Sequence, residues 1–383
     1  MVRYRGAGWD FSTYRAAVKV FQEGKDPYLV KNLLEYSDLG WPFVYPPSTL
    51  ILFFPVVLLA GIIGYRVLWL LLLAASFFIV RSFDRSFQPF LFATIVTTGF
   101  MASYHNFRTG NVGLIEMFFF CWTFKFIYEK RYALSAIFIN LTAWLKVYPV
   151  LLGGLFIFLR KSVRSRIKPL IVLLVAFFVI GGSSLVFFPR LTVSSLGALT
   201  GGIDGQHSPA DEMSGSSNPS SFLFLKDAGE RLFGAVPAVP AVLFAAYAGF
   251  FIWCFIRDAR RKDRDFAALF SIGTLAILLL LPRLKPYSLT LALIPVYFLM
   301  KDIDYRQKLR GLFIVGFLPL GLAVVYFVLR GLDLSSNWIG RQVFFLSGYR
   351  QLFSLLAAYI YLRRVRPRKV PPGSLSETAR VQF

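Results

Sequence analysis

The sequence predicts an all-α protein, a polytopic transmembrane bundle of about 11–12 membrane segments. Three observations predict it. Apolar residues make up 56% of the 383 and charged residues 16%, where a soluble domain carries about a quarter charged. The apolar residues come in runs close to the roughly 20 needed to cross about 30 Å of hydrocarbon. Within those runs almost no polar face survives, as one would in a soluble helix. Phe alone contributes 42 residues, a bias suited to lipid contact.

Along the chain, residues 1–47 come first, polar and aromatic, with no signal peptide. They are expected to form a first external loop with amphipathic helices. Pro46 and Pro47 stand where proline starts a helix, just ahead of the apolar run 48–63. Runs 65–80, 87–104 and 111–128 follow. The stretch 132–159 is too long for one span and is interrupted by Lys146 and Pro149. It therefore predicts two shorter helices meeting at LKVYP. Run 169–188 precedes a Gly-, Ser- and Pro-rich external loop, 189–235, in which mobile stretches and short surface helices are expected. Runs 236–256, 309–329 and 343–362 complete the bundle, taken as 48–362, and 363–383 is a basic tail. No internal repeat stands out.

The formal charge of +22 suggests nucleic acid, but its distribution argues otherwise. Basic residues sit in short clusters between apolar runs, at 160–168, 257–264, 301–310 and 363–369. That pattern marks cytoplasmic loops, so a bilayer is the expected partner and nucleic acid is not. Reading back from a cytoplasmic tail places 330–342, 282–287, 189–235 and 105–111 outside, and 129–131 inside. Asp204, Asp211, Glu212, Asp227 and Glu230 give the 189–235 loop an acidic balance that fits the outer side. Counting 48–63, 65–80 and 87–104 all as spans would put residues 1–47 in the cytoplasm. One of the three is therefore expected to be re-entrant or interfacial, or a span to be misjoined, if that segment is external. Cys121 and Cys254 both lie in apolar runs, where a structural disulfide is not expected.

Ionisable residues at membrane depth or on its outer lip are costly and point to function. Asp10 stands in GWDFSTYRAA (8–17), ahead of a helix-like stretch whose ordinary alternative for an acid is a helix cap. Arg108, Lys146, Arg283 and Lys285 all fall on the outer side, where the rule that explains the other cations does not apply. Snorkelling to headgroups is their ordinary alternative. Trp9, Phe11, Tyr14, Tyr28, Trp41 and Tyr45 cluster near the first loop and are expected mostly to form an interfacial aromatic belt. His105 is expected to be a hydrogen-bonded interfacial residue without a catalytic role. Asp204, Asp211 and Glu212 with His207 are suitable metal ligands by chemistry, but their spacing favours a solvated acidic loop. No obligatory metal and no cofactor are expected, and no Walker-type loop is present in the sequence.

Taken together, GWDFSTYRAA, GKDPY (24–28) and FVYPPS (43–48) ahead of a membrane helix resemble the polyprenol-phosphate-mannose-dependent mannosyltransferases, glycosyltransferase family 87, of the GT-C fold. RTGNVGLIE (108–116) and AWLKVYPVLL (143–152) extend the likeness, and SSNPSSFLFL (216–225) and LKPYSLTLALIPVYF (284–298) do so more loosely. The resemblance implies an inverting transferase of the plasma membrane. A polyprenyl-phosphate sugar would be its donor and a glycan or glycolipid its acceptor. It also implies Asp10 as general base, and Arg108, Asn111, Lys146, Arg283, Lys285, Tyr287 and Tyr45 as substrate-binding residues. Members carry a first span ahead of the acidic loop, whereas nine residues precede Asp10 here. That departure implies a start assigned too late or a lost helix. A flippase of lipid-linked glycans also places basic residues and broken helices in a bundle. A non-catalytic family member is the third reading.

Overall fold

A computed structural model describes residues 8–38, 41–57, 61–200, 215, 217–234, 236, 238–261, 264–331 and 338–365. Among these there are helices and turns but no β-strand. The acidic loop set Asp204, His207, Asp211 and Glu212 lies outside the described residues, as does the tail from 366.

Helix α1 (Trp9–Gln22) is amphipathic, and it buries Phe11, Tyr14, Ala17 and Val18. The short α2 (Val30–Leu33) follows, then α3 (Thr49–Val57). Between α1 and α3 lies an aromatic cluster. The rings of Tyr14 and Phe53 stack at 4.6 Å, and Tyr45 meets both edge-on. Phe11, Tyr14, Tyr28 and Tyr45 are therefore core residues rather than an interfacial belt, while Trp41 is exposed. The cause is amphipathicity: a surface helix with one apolar face buries that face against a neighbour.

The long α4 (Gly61–Phe83) leads to α5 (Pro89–Thr98), which begins on a proline. A tight turn at Gly99–Met101 follows, with Phe100 and Met101 at φ 53° and 56°. It breaks run 87–104 and redirects the chain into α6 (Ala102–Thr109). Next come α7 (Gly113–Tyr128) and α8 (Tyr132–Leu145), then a 3₁₀ segment, Tyr148–Phe158, so the expected break at LKVYP is present. Ser162 caps α9 (Val163–Phe187), which runs on into α10 (Pro189–Thr200).

Ser220 caps α11 (Ser221–Phe233), so the 189–235 segment carries helices at both its ends. Then follow α12 (Ala238–Ala259), α13 (Phe266–Leu280, capped by Asp265), a 3₁₀ turn at Pro286–Leu289, and α14 (Thr290–Met300). Helix α15 (Tyr305–Leu312) continues through a π-helical turn at Phe313–Phe317 into α16 (Leu318–Gly331). Run 343–362 is not one straight helix. It is α17 (Trp338–Gly348) and α18 (Arg350–Arg364), bent by 65° at Tyr349.

Ile63–Phe83, Val163–Phe187, Ala238–Ala259 and Tyr305–Val328 are long and apolar enough to cross a membrane, and the bent α17–α18 pair makes a fifth candidate. The larger number of segments expected from sequence also counts shorter apolar pieces, including Tyr132–Leu145, Tyr148–Phe158, Phe266–Leu280 and Pro286–Met300. The long helices leave Phe178, Val186, Phe250, Trp253 and Phe327 exposed. So large an apolar surface suits hydrocarbon and not water. The chain is an all-α polytopic membrane protein. Its centre is packed by α7, α13 and α14, where Phe124 and Phe298 stack at 5.1 Å.

Candidate functional site

The site forms where α1, the α6–α7 turn, the α8 break and the turn before α14 meet. Helix α1 begins after Gly8, whose N–H donates to the Arg108 carbonyl at 2.8 Å. This bond ties the first turn of α1, and Asp10 in it, to the end of α6. Gly110 then turns the chain with φ +74°, and a Cβ there would lie 2.6 Å from the Phe11 Cβ. A left-handed conformation and a close approach coincide, so only glycine fits without strain. The result sets Asn111 against Asp10.

From Asn111 the contacts run both ways. Its Nδ2 donates to Asp10 Oδ2 at 3.0 Å and to the Tyr14 hydroxyl at 3.2 Å. The Tyr14 and Tyr45 hydroxyls are 2.8 Å apart. The Asn111 Oδ1 accepts from the Gly113 N–H at 3.2 Å and from Lys146 Nζ at 3.3 Å. Tyr65 donates to the Asn111 carbonyl. Lys146 Nζ also lies 2.9 Å from Glu116 Oε1 and donates to Oε2 at 3.1 Å. Its ammonium stands 4.7 Å from the centre of the Tyr287 ring.

Lys146 owes this position to the end of α8. There its backbone is extended, at φ −145° and ψ 126°, instead of helical. Asn106 holds the Tyr287 carbonyl at 3.1 Å, and Gly113 lets the backbones pack closely, since a Cβ there would meet that carbonyl at 2.9 Å. The outcome is a continuous chain: Asp10, Asn111, Lys146, Glu116.

Burial decides the electrostatics. Glu116 is fully buried, and the Lys146 side chain is 15% exposed. An unpaired carboxylate in that position would be very costly, so the two charges depend on each other. Asp10 is only partly covered. Burial nevertheless pushes its carboxyl above the usual aspartate range, against hydrogen bonds from Asn111 and Thr109 and the charges of Lys146 and Lys285. Burial, with the Tyr45 hydroxyl and the Asp10 charge, also drives the Tyr14 hydroxyl well up. It therefore stays protonated and available as a donor.

The structure thus brings Asp10, Asn111, Tyr45, Lys146 and Tyr287 together, with Lys285 near enough to act on the Asp10 charge. Arg108 lies at the rim, exposed and stacked 5.6 Å from the Trp9 ring centre. Arg283 is exposed on the turn after α13, outside the chain of contacts just described. Sequence reasoning does not single out Glu116, although it is the only acid in α7 and has apolar residues on both sides of it. That isolation was the available signal, because a charge within a span calls for a partner.

Among the described residues no group of three His, Cys, Asp or Glu side chains is placed to hold a metal. A partly open carboxylate, neutral hydroxyl donors and a fixed ammonium can take up a proton and steady an anion side by side. The sequence model of glycosyltransferase family 87 matches residues 43–282, more than half of the 383-residue chain. That range contains Tyr45, Asn111, Glu116 and Lys146 but neither Asp10 nor the turn bearing Lys285 and Tyr287. No curated protein matches the chain.

Proposed function

The chain belongs to glycosyltransferase family 87 and is a membrane glycosyltransferase, and from that premise we propose the reaction its site performs. One sugar, mannose or a related hexose or pentose, passes from a polyprenyl-phosphate donor to a glycan or glycolipid acceptor outside the cytoplasm, at the plasma membrane. The Asp10 carboxylate accepts the proton of the acceptor hydroxyl as its oxygen bonds to the anomeric carbon. On the opposite face the bond from that carbon to the phosphate oxygen breaks. Its electron pair leaves with polyprenyl phosphate, and configuration inverts.

Lys146 and Lys285 offset the negative charge that develops on the leaving phosphate, with Arg108 at the rim. Asn111 orients Asp10 while holding Lys146 at a fixed distance from it. Glu116 keeps Lys146 in place before the donor arrives and limits the cost of an empty cationic site. Tyr287 and Tyr45 line the space where a sugar would stack or hydrogen-bond.

The observation that supports this reading most is the unbroken chain from Asp10 through Asn111 to Lys146, which sets a base one amide away from an anion-binding cation. The purified protein is tested with a panel of polyprenyl-phosphate sugars and acceptor lipids, scoring released polyprenyl phosphate. Asp10→Asn is expected to keep donor binding and to lose transfer by about 10²–10⁴-fold. Undiminished turnover by that variant, or glycan translocation without any sugar transfer, would overturn the proposal.

A further inference from the structure

A second polar cluster lies on the other side of α6 and takes no part in the chain from Asp10 to Glu116. Arg350, the first residue of α18, is 4% exposed. No carboxylate among the described residues lies within ion-pair distance of it. Its Nη1 donates to the Ser347 carbonyl at 3.1 Å, and its guanidinium lies 5.4 Å from the Tyr326 ring centre. Among the described residues its Nε has no hydrogen-bond partner, and neither has the buried Oε1 of Gln351.

The Gln351 amide nitrogen is 3.4 Å from His105 Nε2. His105 and Arg108 are both on α6, and exposure rises from the closed Arg350 and Gln351 through half-buried His105 to open Arg108. Burial and the charges of Arg350 and Arg108 hold the His105 imidazole down at about 4, so it stays neutral and adds no third positive charge.

Burying a guanidinium without a counter-charge is expensive, and in a membrane protein such a cation marks a ligand or ion site by default. The lining is apolar: Tyr326 stacks on Phe344 at 4.5 Å. In chemical terms the cluster is a buried guanidinium beside aromatic rings, with a second, exposed arginine on the helix that carries His105. We propose that Arg350, Gln351, His105 and Arg108 form a second anion site, which takes the phosphate group of a membrane lipid. Arg350 supplies the charge-assisted hydrogen bonds, and Gln351 and His105 donate to the remaining oxygens. The cluster shares no residue with the chain from Asp10 to Glu116, and only Arg108 with the rim of the proposed donor site.

The test uses binding by the full-length protein in neutral detergent, so its result does not depend on any transfer activity. Two probes are compared: inorganic phosphate, and phosphatidylglycerol in mixed micelles with phosphatidylcholine. Wild-type protein is expected to bind the phosphatidylglycerol in preference to inorganic phosphate. Arg350→Met should weaken that binding at least tenfold, and Arg350→Lys by less. Lys226→Met, at an exposed ion pair on α11, should leave it unchanged.

Thermal melting separates a ligand site from a structural one. Without lipid, Arg350→Met should melt no lower than wild type, because an uncompensated charge has been removed, and it should lose the lipid-induced rise. Equal binding by wild type and Arg350→Met overturns the proposal. So does an Arg350→Met protein that melts lower or fails to fold. If inorganic phosphate binds as tightly as the lipid, the assignment to a lipid phosphate is likewise overturned. Gln351→Leu probes the cluster from its neutral side and should weaken lipid binding without a fall in melting temperature.

Discussion

Asp10 works in surroundings that oppose its own charge, and the consequence is measurable in two ways. A general base must be ionised, and burial pushes this carboxyl above its ordinary value of 3.8. The acid limb of kcat/KM should therefore fall at a higher pH than an ordinary aspartate would give. An acid limb that follows an unshifted aspartate counts against Asp10 as the base. Stability has the opposite sense. A carboxyl with a raised folded pKa contributes stability that is complete below 3.8 and is lost as pH rises through the folded value. Asp10→Asn stays neutral and keeps its carbonyl oxygen as acceptor for Asn111. At pH 7 it should melt as high as wild type or higher, although inactive, and a lower melting temperature would count against the assignment. Asp10, Asn111 and Lys146 were legible in the sequence because each sits beside a distinctive local pattern. Glu116 was not, because its meaning comes only from Lys146, thirty positions later in the chain. Tyr14 and Tyr45 misled for a related reason: exposed and buried faces of an aromatic-rich segment look alike until the packing partner α3 is known.

At the scale of elements, breaks in helices build the site. The LKVYP break was legible because Pro149 lacks an N–H and cannot continue α8. The turn at Gly99–Met101 and the 65° bend at Tyr349 were not, since neither contains proline and both depend on tertiary packing. Helix α3 bears on the parity conflict among the early runs. Its nine residues reach about 14 Å at 1.5 Å each, roughly half the hydrocarbon thickness. We propose that residues 8–38 lie on the same outer side as the LKVYP break, which requires that run 48–63 does not make a full crossing. Single-cysteine labelling tests this assignment. Cys121 and Cys254 are buried and should stay silent to a membrane-impermeant maleimide. Lys25→Cys, on the exposed turn after α1, should label from outside in intact cells, whereas Arg306→Cys should label only after lysis. Lys25→Cys that labels only after lysis would place Asp10 on the cytoplasmic side and remove the proposed donor.

Among the described residues, the buried pairs Lys146–Glu116 and Lys301–Asp84 mark two ends of the packing around α14. Helix α14 connects these ends: it starts beside Tyr287 at the site and finishes at Lys301. There Lys301 Nζ lies 2.7 Å from Asp84 Oδ1 at the end of α4, and the Tyr297 hydroxyl donates to Asp84 Oδ2 at 3.0 Å. A second pair, Asp258 with Arg363, joins α12 to α18 at the same end. Both acids are almost fully buried. Such pairs hold helices in register, yet their net contribution is small because desolvation offsets attraction; what is costly is losing one partner. Lys301→Met alone should therefore destabilise by about 3–5 kcal/mol, stranding Asp84 in an apolar setting. Asp84→Leu with Lys301→Met should recover most of that loss, because no charge is then left buried. Melting temperatures of the two single variants and the double variant, in one detergent, give the coupling directly. Additive losses would mean that the pair does not act as a unit. Because this clamp lies at the far end of α14 from Asp10, the double variant should keep kcat near wild type, which separates the scaffold from the chemistry it carries.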